Sequence, residues 1–135
     1  MKILKENPPV YQKILDSGMR PHSGVIYTYS DTIYNPSGID IPDYLMRHEE
    51  THSRQQGDEP DKWWMRYLRD QYFRIEQEAE AYAAEYDFIC QFRKDRNQRS
   101  RILMQLATSL AGPIYGSVIG TLEAYKIIQD KAKTK

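Results

Sequence analysis

The pattern of apolar and polar positions predicts a short extended region near the start of the chain. β-Branched and aromatic residues dominate Val25–Tyr29 and Thr32–Tyr34, and the pair Ser30-Asp31 between them is typical of a tight turn. The two runs therefore predict a hairpin or two strands of a small sheet. Upstream, prolines at the start of an apolar segment predict a short first helix that Gly18 ends.

The segment from Pro42 to about Gln56 predicts a helix with clear ends. Asp40 is expected to cap the free N–H groups, Pro42 suits the first helical position, and Asp43 complements the positive end of the helix dipole. Gly57 is expected to stop the helix, because glycine is the residue that most often follows a last helical turn.

Helical periodicity continues to the end of the chain. The predicted segments are a helix over Trp63–Leu68, a long helix to about Arg93, and two helices at Arg99–Ala111 and Leu122–Lys131. Asp61 is a candidate cap for the first of these, and Cys90 falls on the apolar stripe of the long helix. The basic end Lys131–Lys135 is expected to be frayed and solvated. A small sheet followed by helices is an α+β pattern.

Composition limits the possible classes of protein. The chain has 135 residues with 19 basic and 19 acidic side chains, so its formal net charge is zero and residues 1–135 are expected to form a single domain. Balanced charge argues against nucleic acid or an anionic membrane as a partner. A single cysteine, Cys90, excludes an internal disulfide framework.

The sequence offers no evident targeting or membrane segment. The first residues lack the apolar stretch of a signal peptide, which predicts a cytoplasmic or virion-internal protein. Residues 102–122 carry no formal charge, but glycines, a proline and hydroxyl side chains interrupt them, so we expect two buried helices around a Gly-Pro turn and no membrane span.

The candidate chemistry lies in the helix from Pro42 to Gln56. His48-Glu49-Glu50-Thr51-His52 is an H-E-x-x-H sequence, and two of the three histidines of the chain belong to it. Histidines at i and i+4 share one helical face and can reach one zinc ion, with Glu49 free to act as a general base on water. The alternative is a pair of solvated histidines beside surface glutamates.

A hydrolytic zinc site needs a third protein ligand and one open position. No histidine follows the motif and Cys90 is expected in the core, so a carboxylate on the long helix is the best candidate. Glu76 and Glu78 flank its apolar stripe on opposite sides, and Glu80 lies further towards solvent. Helix geometry does not distinguish Glu76 from Glu78 as the third ligand. If Glu76 is the ligand, Glu80 is a candidate for its outer-shell partner.

These motifs resemble the gluzincin metallopeptidases, whose third zinc ligand is a glutamate on a later helix, and among them the small zinc peptidases predicted in phages and prophages. The register Glu78-Ala79-Glu80-Ala81-Tyr82 is similar to the ligand segment of such peptidases, which favours Glu78 as the third ligand. The resemblance also implies a zincin-like fold in which Val25–Tyr29 or Thr32–Tyr34 pairs with an extended substrate. A hairpin that only packs on the helices is the alternative.

The resemblance implies a zinc-dependent hydrolase of peptide bonds that acts on a peptide or protein substrate, in the host cytoplasm or in a virion. Zn²⁺ would be bound by His48, His52 and Glu78, with Glu49 as catalytic base and acid. Tyr115, between two glycines, is a candidate hydrogen-bond donor to an oxyanion or a packing residue at a helix turn. The alternative function is a non-catalytic phage component that keeps a structural zinc and binds other phage proteins.

Overall fold

A computed structural model describes all 135 residues and shows an α+β fold with a small three-stranded sheet and mainly helical structure. The strands are β1 (Lys2–Leu4), β2 (Tyr27–Tyr29) and β3 (Thr32–Tyr34). The helices are α1 (Tyr11–Asp16), α2 (Asp43–Gln56), α3 (Pro60–Arg69), α4 (Gln71–Cys90), α5 (Arg96–Leu110) and α6 (Thr121–Lys131), with a 3₁₀ turn at Pro113–Tyr115. No helix is both long enough and apolar enough to cross a membrane.

The sheet has the order β1-β3-β2. β2 and β3 form the predicted hairpin, whose closing pair is Tyr29 opposite Thr32, with Ser30 at φ 58° in the turn. β1 pairs in parallel with the other side of β3, a strand that the sequence pattern does not reveal, because it is three residues long and all of its side chains are exposed. The expectation that β3 could take a substrate strand is wrong, since both of its edges are already paired.

Helix α2 begins and ends almost where the sequence predicts. Gly57 ends it with φ 57° and ψ −128°, and Asp43 lies in its first turn. The predicted cap is wrong: Pro42 occupies the N-cap position and no side chain caps the helix, so Asp40 lies too far upstream.

Differences at the later helices have local causes. Asp61 lies inside α3, where its carboxylate accepts a hydrogen bond from the Tyr29 hydroxyl (2.9 Å). Asp70 separates α3 from α4 and caps α4 by accepting from the backbone N–H groups of Tyr72 and Phe73. The C-terminal tail lies against α4, because the Asp87 carboxylate accepts hydrogen bonds from the backbone N–H groups of residues 133 and 134, while the lysines of the tail are exposed as expected.

Two apolar clusters flank the contact between α2 and α4. The larger one joins α4, α5 and α6 around residues such as Ala79, Leu103 and Ile128, and it includes the buried Cys90 as expected. The smaller one joins α1, β2 and α3 through Ile14, Trp63, Trp64 and their neighbours. The larger cluster fixes α4 against α5 and α6, and the smaller one fixes α3 against α1 and β2. Helix α2 contributes no residue to either cluster and packs directly on α4.

We expect Gly57→Ser to lower the free energy of unfolding by about 1–3 kcal/mol, because a side chain is strained at this φ and ψ even though the space around it is open. Gly120→Ser is the matched control: Gly120 has φ −79°, open space and the N-cap position of α6, where serine is favourable. Urea denaturation measures both. Equal stability of the two variants would contradict the structure at the end of α2.

Candidate metal centre

The two histidines of the H-E-x-x-H sequence lie on the face of α2 that packs against α4. His48, Glu49 and His52 are each about 5% exposed or less. The two imidazole rings lie one helical turn apart, with 4.9 Å between their centroids. The motif therefore faces the interior, which disagrees with the alternative of solvated surface histidines.

Helix α4 supplies the carboxylate that meets both rings. The Oε1 atom of Glu78 lies 3.0 Å from Nε2 of His48 and 3.1 Å from Nε2 of His52. Ala79 and Ala81, which follow Glu78 in the sequence, are fully buried, and their small side chains allow neighbouring helices to approach α4 closely. One oxygen and two ring nitrogens thus converge from two helices.

The spacing of these three atoms fits a single metal ion. All three lie within 4.8 Å of one another. An ion bonded tetrahedrally at about 2.1 Å holds its ligand atoms about 3.4 Å apart, so the two pairs that involve Glu78, at 3.0 and 3.1 Å, need to open by only a few tenths of an ångström. His48, His52 and Glu78 can therefore hold a metal ion.

Hydrogen bonding leaves the Nε2 lone pair of His48 available. Its Nδ1 lies 3.1 Å from the Oε1 atom of Glu85, a buried carboxylate on α4. An ionised carboxylate only accepts, so Nδ1 carries the proton and Nε2 of the neutral ring is free to bind a metal. Without a metal, the ring satisfies Glu85 and Glu78 together only as an imidazolium.

A similar chain of hydrogen bonds orients His52. The Nε2 amide of Gln55 donates to the carbonyl of Gln77 and to the carboxylate of Glu80, both at 2.9 Å. The amide orientation is fixed by these two acceptors, so Oε1 of Gln55 faces Nδ1 of His52 at 2.8 Å and accepts its proton. The Nε2 atom of His52 is therefore also free for a metal.

The second oxygen of Glu78 is held separately. The hydroxyl of Tyr67, from α3, donates to Oε2 of Glu78 at 2.5 Å. Burial raises the pKa of Tyr67 well above its usual value, so the hydroxyl keeps the proton it donates. Because Oε2 is occupied, Glu78 presents Oε1 alone to the two imidazoles.

Glu49 lies beside the cluster without belonging to it. Its Oε2 atom is 3.9 Å from Nε2 of His48, while its Oε1 atom accepts a hydrogen bond from the hydroxyl of Thr28 on β2 at 2.8 Å. Burial raises the pKa of Glu49, and the charges of His48 and His52 oppose that shift. The carboxylate has one oxygen fixed by the sheet and one directed towards the candidate metal centre.

The other candidate ligands lie elsewhere. Glu76 is 58% exposed in its side chain and forms an ion pair with Lys131 at 2.7 Å, so it does not reach the two histidines. Glu80 acts through Gln55 on His52, which corrects the expectation that it would support Glu76. Cys90 is buried in the larger apolar cluster.

Tyr115 lies in the 3₁₀ turn, where its hydroxyl is 2.9 Å from the hydroxyl of Tyr82. Its carbonyl accepts a hydrogen bond from Arg74 at 3.1 Å. The expectation of a packing residue at a turn is therefore confirmed. Tyr115 also lines the cavity next to His48 and Glu78, and its role towards an oxyanion stays a prediction.

Several residues that hydrogen-bond to the site were not predicted from the sequence. Thr28 and Tyr67 meet the site only through tertiary packing, so no local pattern marks them. Two others carry a usable spacing: Gln55 lies three residues after His52, and Glu85 lies seven residues, or two helical turns, after Glu78. A search for polar residues at those offsets would have found both.

The pKa values describe a tightly coupled cluster in the metal-free protein. Burial lowers the pKa of His48, but hydrogen bonds to Glu78 and Glu85 outweigh it, and the pKa is raised well above 6.5. For His52, burial again lowers the pKa, but the charge of Glu78, its hydrogen bond and the charge of Glu49 together raise it by more. Burial raises the pKa of Glu78, yet the charge of His52 and the hydrogen bonds from both histidines hold it far below its usual range. Protons thus take the place of a cation between these groups.

We expect purified wild-type protein to bind about one metal ion per chain. Loss of an outer-shell partner typically lowers metal affinity roughly 10–100-fold, and Glu78→Ala should lower it by more, because it removes a direct ligand. Glu76→Ala is the matched control on the same helix and should bind like wild type, because Glu76 faces Lys131. Metal titration with a competing chromophoric chelator measures both, and circular dichroism checks folding. Loss of affinity in Glu76→Ala with normal binding in Glu78→Ala would reverse the ligand choice.

We expect opposite pH dependences with and without metal. The pKa values of His48 and His52 are raised in the folded protein, so protonation of these rings stabilises the metal-free fold. This stabilisation is fully present below about pH 6.5, the pKa in the unfolded chain, and is lost as the pH rises through the pKa values of the folded protein. Metal requires the same nitrogens without protons, so its stabilisation grows with pH. Thermal melts from pH 6 to 8, with chelator or with Zn²⁺, measure this. Parallel pH dependences would contradict the coupling.

Comparison of the chain with models of known protein families, with curated proteins and with solved structures gave no match. The candidate site is a buried group of two histidines and one glutamate that can hold a metal ion, with the carboxylate of Glu49 beside it.

Proposed function

We propose that this protein is a zinc-dependent hydrolase of peptide bonds, with His48, His52 and Glu78 as metal ligands and Glu49 as the catalytic base and acid. The observation that carries the proposal is the position of Glu49. Its carboxylate is buried next to the ligand group, yet its Oε2 atom lies 3.9 Å from His48 and makes no shorter polar contact there. A purely structural metal site has no use for such a group.

The donor set supports zinc. Two imidazoles and one carboxylate, with a fourth position open, form the donor set of catalytic zinc sites. Zinc bound in this way supplies a Lewis acid that lowers the pKa of water and polarises a carbonyl group. Ferrous iron uses similar ligands in oxygenases, but the carboxylate beside the site favours proton transfer to and from a hydrolytic water.

The chain's own groups provide the proton transfers. In the proposed reaction Oε2 of Glu49 would take a proton from an attacking water, and the same carboxyl group would then protonate the leaving amine. Thr28 holds Oε1 through its hydroxyl at 2.8 Å, so the carboxylate keeps one orientation during both steps.

A cleft gives a substrate access to these groups. A groove of about 930 Å³ lies between residues 17–26 and residues 108–116, and His48 and Glu49 are among its lining residues. This volume is comparable to that of sites that bind small molecules or several residues of a peptide. The cleft thus supports a peptide or protein substrate.

We expect Glu49→Gln to keep zinc and to lower kcat for peptide hydrolysis by about 10²–10⁴-fold, because the amide cannot accept the proton. Mass-spectrometric analysis of a diverse peptide pool, incubated with zinc-loaded protein, detects cleavage. Elemental analysis of the purified protein identifies the metal. A zinc-loaded wild type that cleaves nothing would favour the non-catalytic binding protein, and full activity in Glu49→Gln would remove Glu49 from the mechanism.

We expect Thr28→Val to lower kcat about tenfold with little change in KM, while Thr28→Ser restores most of the rate. Valine keeps the shape of the buried side chain but removes the hydroxyl that orients Glu49, and a lost hydrogen bond to a buried charged group is worth roughly 1–3 kcal/mol. Steady-state kinetics on a peptide from the pool measures kcat and KM separately. Equal rates for Val and Ser variants would leave Thr28 with a packing role alone.

A further inference from the structure

The free edge of β2 is closed next to the site. The side-chain amide of Gln56 donates to the carbonyl of Thr28 at 2.8 Å and accepts from the N–H of Ser30 at 2.7 Å. The indole of Trp64 donates to the same carbonyl at 3.0 Å. Gln56 therefore occupies the position that a peptide unit of an added strand would take, and a substrate cannot pair with β2 at residues 28 to 30.

The open main-chain groups lie one step upstream. Ile26 precedes β2 and falls on the same side of the chain as Thr28, since alternate residues of an extended strand direct their backbone groups to one edge. Neither its N–H nor its carbonyl makes a hydrogen bond within the protein. Ile26 also lines both the cleft and the cavity described below, so its backbone is available next to the site.

A small apolar cavity adjoins the same residues. It has a volume of about 80 Å³ and extends from His52 and Glu78 to a mostly hydrophobic wall that includes Ile14, Val25 and Trp63. Its acidic and basic lining groups are the three candidate ligands and Glu49, so with a metal bound an acidic side chain that entered it would lose its hydration and face the carboxylate of Glu49.

The volume sets the size of the side chain that fits. A dry cavity of about 150 Å³ is large enough for a benzene molecule, and this cavity is about half that size. A branched aliphatic group of three or four carbons fits the space, whereas an aromatic ring overfills it and forces the wall to move.

We propose that the substrate is an extended peptide that hydrogen-bonds the backbone of Ile26 and places a branched aliphatic side chain in this cavity, next to the scissile bond. The proposal rests on the zinc hydrolase function and specifies its substrate. Gln56 limits strand pairing to a single peptide unit, so the cavity contributes most of the selectivity.

Binding of active-site ligands tests this without turnover. The probes are three succinyl hydroxamates that differ only in side chain, isobutyl, naphthylmethyl or carboxymethyl, titrated calorimetrically into zinc-loaded protein. We expect the isobutyl compound to bind about tenfold more tightly than the naphthylmethyl compound and about 100-fold more tightly than the carboxymethyl compound. Methylation of the amide nitrogen that follows the side chain should weaken binding about fivefold, because it removes the donor to Ile26.

Two variants locate the preference in the cavity. Ile14→Ala shortens a side chain of the wall and enlarges the cavity, so it should reduce the ratio of the isobutyl to the naphthylmethyl affinity. Ile128 is an equally buried isoleucine in the other apolar cluster, and Ile128→Ala should leave this ratio unchanged. The ratio of the two affinities in the wild-type protein tests the aliphatic preference on its own, even if Ile14→Ala does not fold.

The outcomes separate the two proposals. Equal affinities for the three hydroxamates in a protein that cleaves peptides would overturn the aliphatic cavity and keep the hydrolase. A clear isobutyl preference in a protein that cleaves no peptide would keep the cavity and overturn the hydrolase. No binding of any hydroxamate to zinc-loaded protein would overturn the cavity proposal.

Discussion

One carboxylate oxygen, Oε1 of Glu78, lies 3.0 Å from Nε2 of His48 and 3.1 Å from Nε2 of His52, and the three side chains are shielded from solvent. Buried ionisable groups are unfavourable unless each has a partner of opposite charge or a metal. The packing of α2 on α4 therefore depends on a cation between these groups. Protons on the histidines provide it in one state, and a metal ion can provide it in the other.

Four elements hold the site, and each fixes a different atom. α4 orients His48 through Glu85, α3 occupies the second oxygen of Glu78 through Tyr67, and β2 fixes Glu49 through Thr28. Gln55 on α2 links His52 to α4. Glu85 and Gln55 both accept hydrogen bonds from the Nδ1 atoms of the two imidazoles. The Nε2 lone pairs of His48 and His52 therefore remain available, and both Nε2 atoms lie close to Oε1 of Glu78. The same contacts thus bring together a group that can hold a metal ion and leave one oxygen of Glu49 without a hydrogen bond beside it.

Local sequence signals predicted the local structure well. The hairpin, the end of α2 at Gly57 and the placement of the two histidines on one face all follow from short-range patterns. The signals were weaker where tertiary contacts decide: β1 exists only through pairing with β3, and helix geometry did not separate Glu76 from Glu78. The difference between those two glutamates comes from how α4 rotates against α2 and α6, which depends on the apolar clusters and not on the helix alone.

Joint binding of one metal ion by His48, His52 and Glu78 can be observed by anomalous diffraction from a crystal grown with Zn²⁺, recorded on both sides of the zinc absorption edge. We expect one strong peak about 2.0–2.2 Å from the Nε2 atoms of both histidines and from Oε1 of Glu78. A peak bound by other residues, or no peak between these three side chains, would contradict it.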